Sequence, residues 1–300
     1  MARHVLSPLV CGLALVAGAT PVLAADVARP VRIRFDAVVA GQPFACGQSY
    51  DAIGTTKSTI VVSDFRFYVS RVRLLRDDGG ERAVPFIADG LWQQEDVALV
   101  DFEDGTRSCS NGTPETHPYV EVQVPDGIYT GVVFDLGLPF ERNHRDPTLQ
   151  PSPLNLTRMF WNWNAGYKYL RVDLRSTGQP KGWAIHLGST GCTPGGSPTT
   201  VPVSCKSPNV VTVTLPRFDP ANDVIRMDLA ALLAQSDVDA RFEDSAGCMS
   251  GPRDPECGPL FAQFGLPFGT TAAGEQRVFT KVAASDAGVA VGAARPSGLP

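Results

Sequence analysis

Histidine and tryptophan set the chemical possibilities of this 300-residue sequence, because it holds just four of each. His4 falls in a leader-like start, so histidine chemistry rests on His117, His144 and His186. His117 lies in the ordinary loop Asn-Gly-Thr-Pro-Glu-Thr-His-Pro, and His144 in Pro-Phe-Glu-Arg-Asn-His-Arg-Asp-Pro. His186 ends a strand-like run and precedes Leu-Gly-Ser-Thr-Gly-Cys. A neutral imidazole can ligate a transition metal or act as a base, though a lone histidine is more often a plain hydrogen-bonding residue. The aromatic residues concentrate in Leu154 to Leu170, LNLTRMFWNWNAGYKYL, where Trp161 and Trp163 stand two apart beside Phe160, Tyr167 and Tyr169. On a strand the two indoles would share a face. Three readings fit: a core aromatic ladder, a platform that stacks sugars, or a chemically altered indole.

Other chemistries find no support. Gly188-Ser189-Thr190-Gly191 is not a nucleophile elbow, and Ser189 near His186 is proximity in sequence alone. There is no dinucleotide-binding glycine motif after a strand, no Walker loop, no haem-attachment motif and no HExxH zinc motif. Acidic residues beside glycine, such as Asp104, Asp126 and Asp254, read as turns rather than calcium loops. The net charge is −5 with no basic run, which argues against a nucleic-acid partner.

The elements that would position these residues are strands. Val31–Val39, Ser58–Ser63, Phe65–Leu75, Lys168–Leu174, Gly182–Leu187 and Asn209–Leu215 alternate apolar and polar side chains or are rich in β-formers. In Phe65–Leu75 the apolar phase changes once after Val69, which predicts a bulge. Asp78-Gly79-Gly80 marks a turn toward a partner at 83–87. Tyr119–Val124 and Ile128–Leu136 flank Pro125-Asp126-Gly127 and read as a hairpin. Helix signals are confined to Met227–Ala234, with Asp223 or Asp228 near its start, and a turn or two in 254–264. With 29 Gly and 25 Pro, a helix bundle is excluded, and 43% hydrophobic residues suffice for a core. The expected fold is all-β: one β-sandwich-like domain over residues 25–282, with long Gly/Pro-rich loops, one or two short helices and disulfide staples.

Residues 1–24 read as a secretory signal peptide: Arg3 and His4, an apolar stretch, then Val22-Leu23-Ala24. No stretch is long and apolar enough for a membrane span, so a periplasmic location is expected. Of the seven cysteines one falls in the leader, leaving an even set in an exported chain. Short Gly/Pro-rich loops favour pairing Cys192 with Cys205 and Cys248 with Cys257, and Cys46 with Cys109 is the remainder. Zinc ligation is disfavoured by the lack of paired CxxC motifs. Residues 283–300 turn to Ala, Gly, Val, Ser and Pro and read as a disordered tail.

Many markers in order resemble the MbnP family of copper-associated periplasmic proteins, the four-Cys-motif member of a "metallo-mystery pair". They are Phe65-Arg66-Phe67-Tyr68-Val69-Ser70, Leu136 to Phe140 with Asn143-His144, and Ser152 to Leu156. Met159-Phe160-Trp161-Asn162-Trp163, Gly166-Tyr167-Lys168, His186 to Cys192, Gly247 to Ser250 and Asp254 to Cys257 follow. The resemblance spans nearly the whole mature chain. It implies copper binding and a partnership with a MauG-like periplasmic di-haem protein that oxidises a tryptophan to kynurenine, with a copper-uptake system as a further candidate partner. It implies no catalysis by this chain. More distant similarity to the copper proteins CorA and MopE implies two histidines and the kynurenine amine as ligands. The matching positions are His144, His186 and either Trp161 or Trp163, with His117 left open. The motif lacks the neighbouring histidine of one relative, so ligand spacing does not carry over. Asn143, Asn155, Asn162 and Lys168 are candidates for supporting roles, Lys168 being more simply a solvated strand residue. An indole N–H has no available lone pair, whereas ring opening gives an amine that does. Two imidazoles and an amine suit copper. The alternative from a different class is a glycan-binding module using Trp161, Trp163 and Tyr167. A copper enzyme with an open coordination position is a third reading.

Overall fold

The computed structural model describes Met1 and residues 28–94, 96–162, 164–193, 201–242 and 245–287. Trp163, the leader beyond Met1 and the tail beyond Ala287 lie outside the described residues. Among the described residues two main sheets pack face to face, with two short two-stranded ladders beside them, Phe160–Asn162 with Gly166–Tyr167 and Thr190–Thr193 with Ser204–Ser207. The smaller, five-stranded sheet runs Phe279–Ala283, Asp223–Asp228, Ala28–Val39 and Gln42–Pro43, with Tyr119–Pro125 paired to the first half of Ala28–Val39. The larger, nine-stranded sheet is organised by the long strand Ser58–Arg76. Its main path runs Val211–Pro216, Tyr129–Leu136, Ser58–Arg76, Leu170–Ser176, Trp183–Leu187 and Gly247–Cys248.

Four phenylalanines join the sheets. Phe35 of the smaller sheet meets Phe67 and Phe134 of the larger one with ring centroids 5.6 Å apart, and Phe279 closes the group at 5.6 Å from Phe67 and 5.4 Å from Phe134. All four contacts are edge-on, the arrangement that aromatic quadrupoles favour. Phe65, Phe67 and Val69 point into this core; then Arg71 adopts φ +48° and the register shifts between Ser70 and Arg73. Val72 and Leu74 thereby return to the core face, as the phase change in the sequence requires.

The 119–136 segment departs from the expected hairpin. Tyr119–Pro125 pairs with Ala28–Arg34 in the smaller sheet, and Tyr129–Leu136 pairs with Ser58–Arg76 and Val211–Pro216 in the larger one. The turn at 125–128 is a corner between sheets, braced by the Tyr129 hydroxyl donating to Pro125 O at 3.0 Å. Both strands bury an apolar face, each against a different sheet. Asp228 caps the helix Leu229–Leu233 by accepting from Ala230 N, while Met227 belongs to the preceding strand. A second helix spans Cys257–Phe264. All three expected disulfides are present: Cys46–Cys109, Cys192–Cys205 and Cys248–Cys257. At the C-terminal end, Phe279–Ala283 pairs with Asp223–Met227 and a single helical turn follows at Ala284–Asp286, so regular structure continues past the expected boundary at 283.

Candidate metal centre

The outward face of the larger sheet is also buried. Leu138, Leu154, Met159, Tyr167 and Tyr169 lie over it and form a second core with Tyr68, Val97 and Leu99. The Tyr68 hydroxyl donates to Pro153 O at 3.1 Å, and that of Tyr167 to Leu154 O. Tyr167 is therefore fully buried and is no part of a sugar-stacking platform.

His186 sits on this outward face, because Trp183, Ile185 and Leu187 take the inward positions of its strand. Its Nε2 lies 2.6 Å from Asp173 Oδ1 on the neighbouring strand. Arg171 holds the other carboxylate oxygen through Nε at 2.9 Å and Nη2 at 2.5 Å. Burial alone would raise the Asp173 carboxyl; the bonds from His186 and Arg171 outweigh it and hold it at about 2. The chain of charges continues inward. Arg171 Nε is 3.2 Å from Asp64, Asp64 accepts from Arg66 Nε at 3.0 Å, and Arg66 Nη1 meets Glu103 at 2.9 Å. Asp64, Arg66 and Glu103 are all buried. Buried charges survive only when paired in this way.

Trp161 packs against His186, ring centroids 6.1 Å apart and tilted by 60°. The indole edge also rests on the backbone of Gly188, where a β-carbon would stand 2.7 Å from Trp161 Cζ3 and 2.7 Å from Tyr167 O. Glycine is required here by that close approach. Trp161 is half-buried.

His144 follows the helical turn Phe140–Asn143 and is buried. Its Nε2 lies 3.2 Å from Asn143 Nδ2 and 3.3 Å from Cys205 Sγ, and the Phe140 ring covers it at 4.8 Å. Asn143 ties this pocket to the His186 side. Its Nδ2 donates to Ser189 Oγ at 2.9 Å, and its Oδ1 accepts from Tyr167 N at 2.9 Å. Ser189 is three residues beyond His186 and donates to Ala165 O. The described contacts thus link the two histidines through Asn143 and the 186–189 turn. His144 also forms a close group with Cys192 and Cys205, but both sulfurs are committed to a disulfide and offer no thiolate. The group of Cys46, Asp104 and Cys109 fails as a metal site for the same reason.

The other candidates separate. His117 stacks on Trp92 at 5.4 Å and touches Tyr119 at 4.1 Å, on the side where the Tyr119–Pro125 strand begins. Burial pulls its imidazole down to about 4, so it stays neutral. Asn155 is exposed and has no hydrogen-bond partner among the described residues. Asn162 closes a turn by accepting from Asn164 N and Ala165 N. Lys168 is not a solvated strand residue. It is buried, its Nζ donates to Arg158 O at 2.9 Å, and burial with Arg171 nearby pulls its amine down to about 8. Asp173, Arg171 and Asp64 carry roles that sequence reading missed. The available signal is charged residues at alternate positions of Val-Ser-Asp-Phe-Arg-Phe and Leu-Arg-Val-Asp-Leu, a period that ordinarily marks a solvent face.

The family model for MbnP matches residues 28–250. Among solved structures, MbnP from Methylosinus trichosporium superposes with a TM-score of 0.76 at 28% identity, covering 86% of this chain and 99% of that one. None of the curated proteins compared with the chain matches it.

Proposed function

The chain belongs to the MbnP family, and from that premise we propose that it is an exported, non-catalytic copper-binding protein whose site is completed by oxidation of Trp161. The observation that carries this is the packing of Trp161 on His186, whose Nε2 is already tied to Asp173. The donor set fits copper: imidazole nitrogen, a carboxylate fixing the ring from behind, and an aromatic side chain that can become an amine. With Nε2–H donated to Asp173, the Nδ1 lone pair of His186 is the one free to ligate. His144, joined to the same turn through Asn143, is the second histidine. Bound there, copper would supply one-electron chemistry or simply be cargo for storage, delivery or uptake. The protein's own work is to hold nitrogens in place and exclude water.

Ring opening cleaves the indole C2–C3 bond, leaves a ketone at C3 and, after hydrolysis, releases C2 as formate. The oxidising equivalents come from peroxide or dioxygen activated by a MauG-like periplasmic di-haem partner, which makes this chain a substrate rather than an enzyme. Trypsin releases Met159–Lys168, and the modification adds about 4 Da. In protein from its native host, that shift should map to Trp161 by fragmentation. An unshifted peptide from protein co-expressed with the di-haem partner sinks the proposal, and a shift mapped to Trp163 moves the amine to that residue. In modified protein, His186→Ala and His144→Ala should each weaken copper binding strongly. Unchanged affinity in both removes the ligand assignment.

A further inference from the structure

The disulfides differ in how a reductant can reach them. Cys248 and Cys257 are buried within the main core, and Cys46 and Cys109 are buried as well. Cys192 and Cys205 lie outside both main sheets, facing each other across the ladder of Thr190–Thr193 with Ser204–Ser207. Cys192 is buried there, but Cys205 is partly exposed. Access to a sulfur is one of the conditions for thiol–disulfide exchange.

This accessible pair meets an imidazole. His144 Nε2 lies 3.3 Å from Cys205 Sγ, and the ring is buried under Phe140. The Asn143 amide shows which form that nitrogen takes. Asn143 Oδ1 accepts from Tyr167 N, which fixes the oxygen end of the amide. Its Nδ2, which can only donate, is therefore the atom 3.2 Å from His144 Nε2. Nε2 is the acceptor and carries the lone pair that a metal needs. One nitrogen of His144 and the two sulfurs all lie within 4.8 Å of one another. Donor–metal bonds of about 2.0–2.3 Å span such a group once the S–S bond is open. Ser189 Oγ, 3.5 Å from Cys192 Sγ, is in place to accept a thiol proton.

We propose that Cys192–Cys205 is a redox latch over a copper(I) site made of both cysteines and His144. The reductant is a dithiol carrier. One of its thiolates attacks Cys205 Sγ, the S–S bond breaks, and Cys192 leaves as a thiolate. The carrier's second thiol then displaces Cys205 and closes the carrier's own disulfide. Two electrons and two protons pass to the chain. Copper(I) displaces the two thiol protons and is held by two sulfurs and Nε2. A disulfide oxidant runs the exchange backwards, re-forms the S–S bond and releases the ion with its charge unchanged. Thiolates are soft donors and select copper(I), whereas structural zinc asks for a fourth ligand that this group of described residues does not hold. The latch site needs neither His186 nor an oxidised Trp161. It shares His144 with the proposed copper centre, but it is tested without that centre being complete.

The test uses the disulfide-bonded mature chain made without the di-haem partner, so that Trp161 is an intact indole. Graded dithiothreitol, then alkylation and peptide mass mapping, should label Cys192 and Cys205 before the other four cysteines. The reduced chain, freed of dithiothreitol without oxygen, should take up copper(I) in competition with bicinchoninate and show thiolate-to-copper charge transfer. The disulfide-bonded chain should show no such absorption, and oxidised glutathione should discharge the loaded one. In the reduced chain His144→Ala should weaken binding at least about 10–100-fold, the cost of losing even a supporting residue at a metal site. Thermal melts that match the parent keep that loss from being a loss of fold. X-ray absorption of the loaded parent, which needs no variant, should show two sulfurs and one nitrogen. Earlier opening of either other disulfide overturns the latch, as does equal copper(I) affinity in the reduced and disulfide-bonded chains. Unchanged affinity in reduced His144→Ala, or displacement of copper(I) by equimolar zinc(II), overturns the site.

Discussion

Over residues 64–70 the two faces of the Ser58–Arg76 strand are both buried and chemically opposite. Inward lie Phe65, Phe67 and Val69, all fully buried. Outward lie Asp64, Arg66 and Tyr68, also buried, yet carrying two charges. The inner face is held by apolar area, which is non-directional and tolerant of small shifts. The outer face is held by polar contacts of defined geometry running from Glu103 through Arg66, Asp64 and Arg171 to Asp173 and His186. Such pairs stabilise little on balance, because desolvation cancels most of the attraction. What they do supply is position. The inner face makes the sandwich, and the outer face uses that rigid sheet to aim one imidazole.

The contrast predicts which substitutions unfold the protein and which only disarm it. The largest effect belongs to the inner face. Phe67→Ala removes the ring that meets both Phe35 and Phe279, and should cost about 3–5 kcal/mol in urea unfolding. A cost under about 1 kcal/mol would mean that the phenylalanine group does not organise the core. Next comes Arg66→Met, which leaves Asp64 and Glu103 facing each other in a dry site. Breaking a buried pair from one side costs about 3–5 kcal/mol, and here Arg171 still partners Asp64, so the lower end is expected. A triple change of Asp64, Arg66 and Glu103 to apolar residues should recover much of that loss while reducing copper affinity. Recovery of stability with undiminished affinity would show that the network does not position His186.

Asp173→Asn sharpens the comparison, because it should keep the fold while removing the stability that the ionised carboxylate contributes at neutral pH. The asparagine keeps size and one hydrogen bond but loses the charge that favours the Nε2–H tautomer of His186. Copper affinity should fall about 10–100-fold, the usual cost of losing such an outer partner. Nitrogen NMR of metal-free protein should show the His186 tautomer shift as well. Reduced affinity with an unchanged tautomer would assign the loss to something other than ring orientation.

The inner face was legible in the sequence and the outer face was not. Phe65, Phe67, Val69, Val72 and Leu74 alternate with one phase change, and the bulge at Arg71 sits where that change demands. The disulfides followed from loop lengths and an even count. Asp64, Arg66, Arg171 and Asp173 also alternate, but period-two polarity reads as a solvent face. Asp64 and Arg66 are buried all the same, and the segments laid over that face dock through contacts such as Tyr68 to Pro153 that carry no local pattern. The false hairpin at 119–136 has the same root. A Pro-Asp-Gly corner marks a reversal of direction, but not whether the next strand stays in the same sheet.

The smallest predicted effect is a slope rather than a loss, and it comes from the buried end of the charge chain. Burial pushes Asp101 up to about 8 against the pull of Arg66, and Glu103 up to about 7. In the unfolded chain both titrate near the ordinary carboxylate value of about 4. Between about pH 4 and 8 the folded state therefore holds more protons than the unfolded state, and stability declines as pH rises through that window. Asp173 works in the opposite sense: its carboxyl is held at about 2, so its contribution is present at neutral pH and is lost as pH falls from about 4 toward 2. Urea midpoints measured from pH 5.5 to 8.5 should fall steadily, and Glu103→Gln, which has no proton to lose, should flatten that decline. A slope identical in the variant and the parent would mean that Glu103 is ionised throughout the range. The Glu103–Arg66 contact would then be a full ion pair at neutral pH, and the outer face would hold one more fixed charge than its burial suggests.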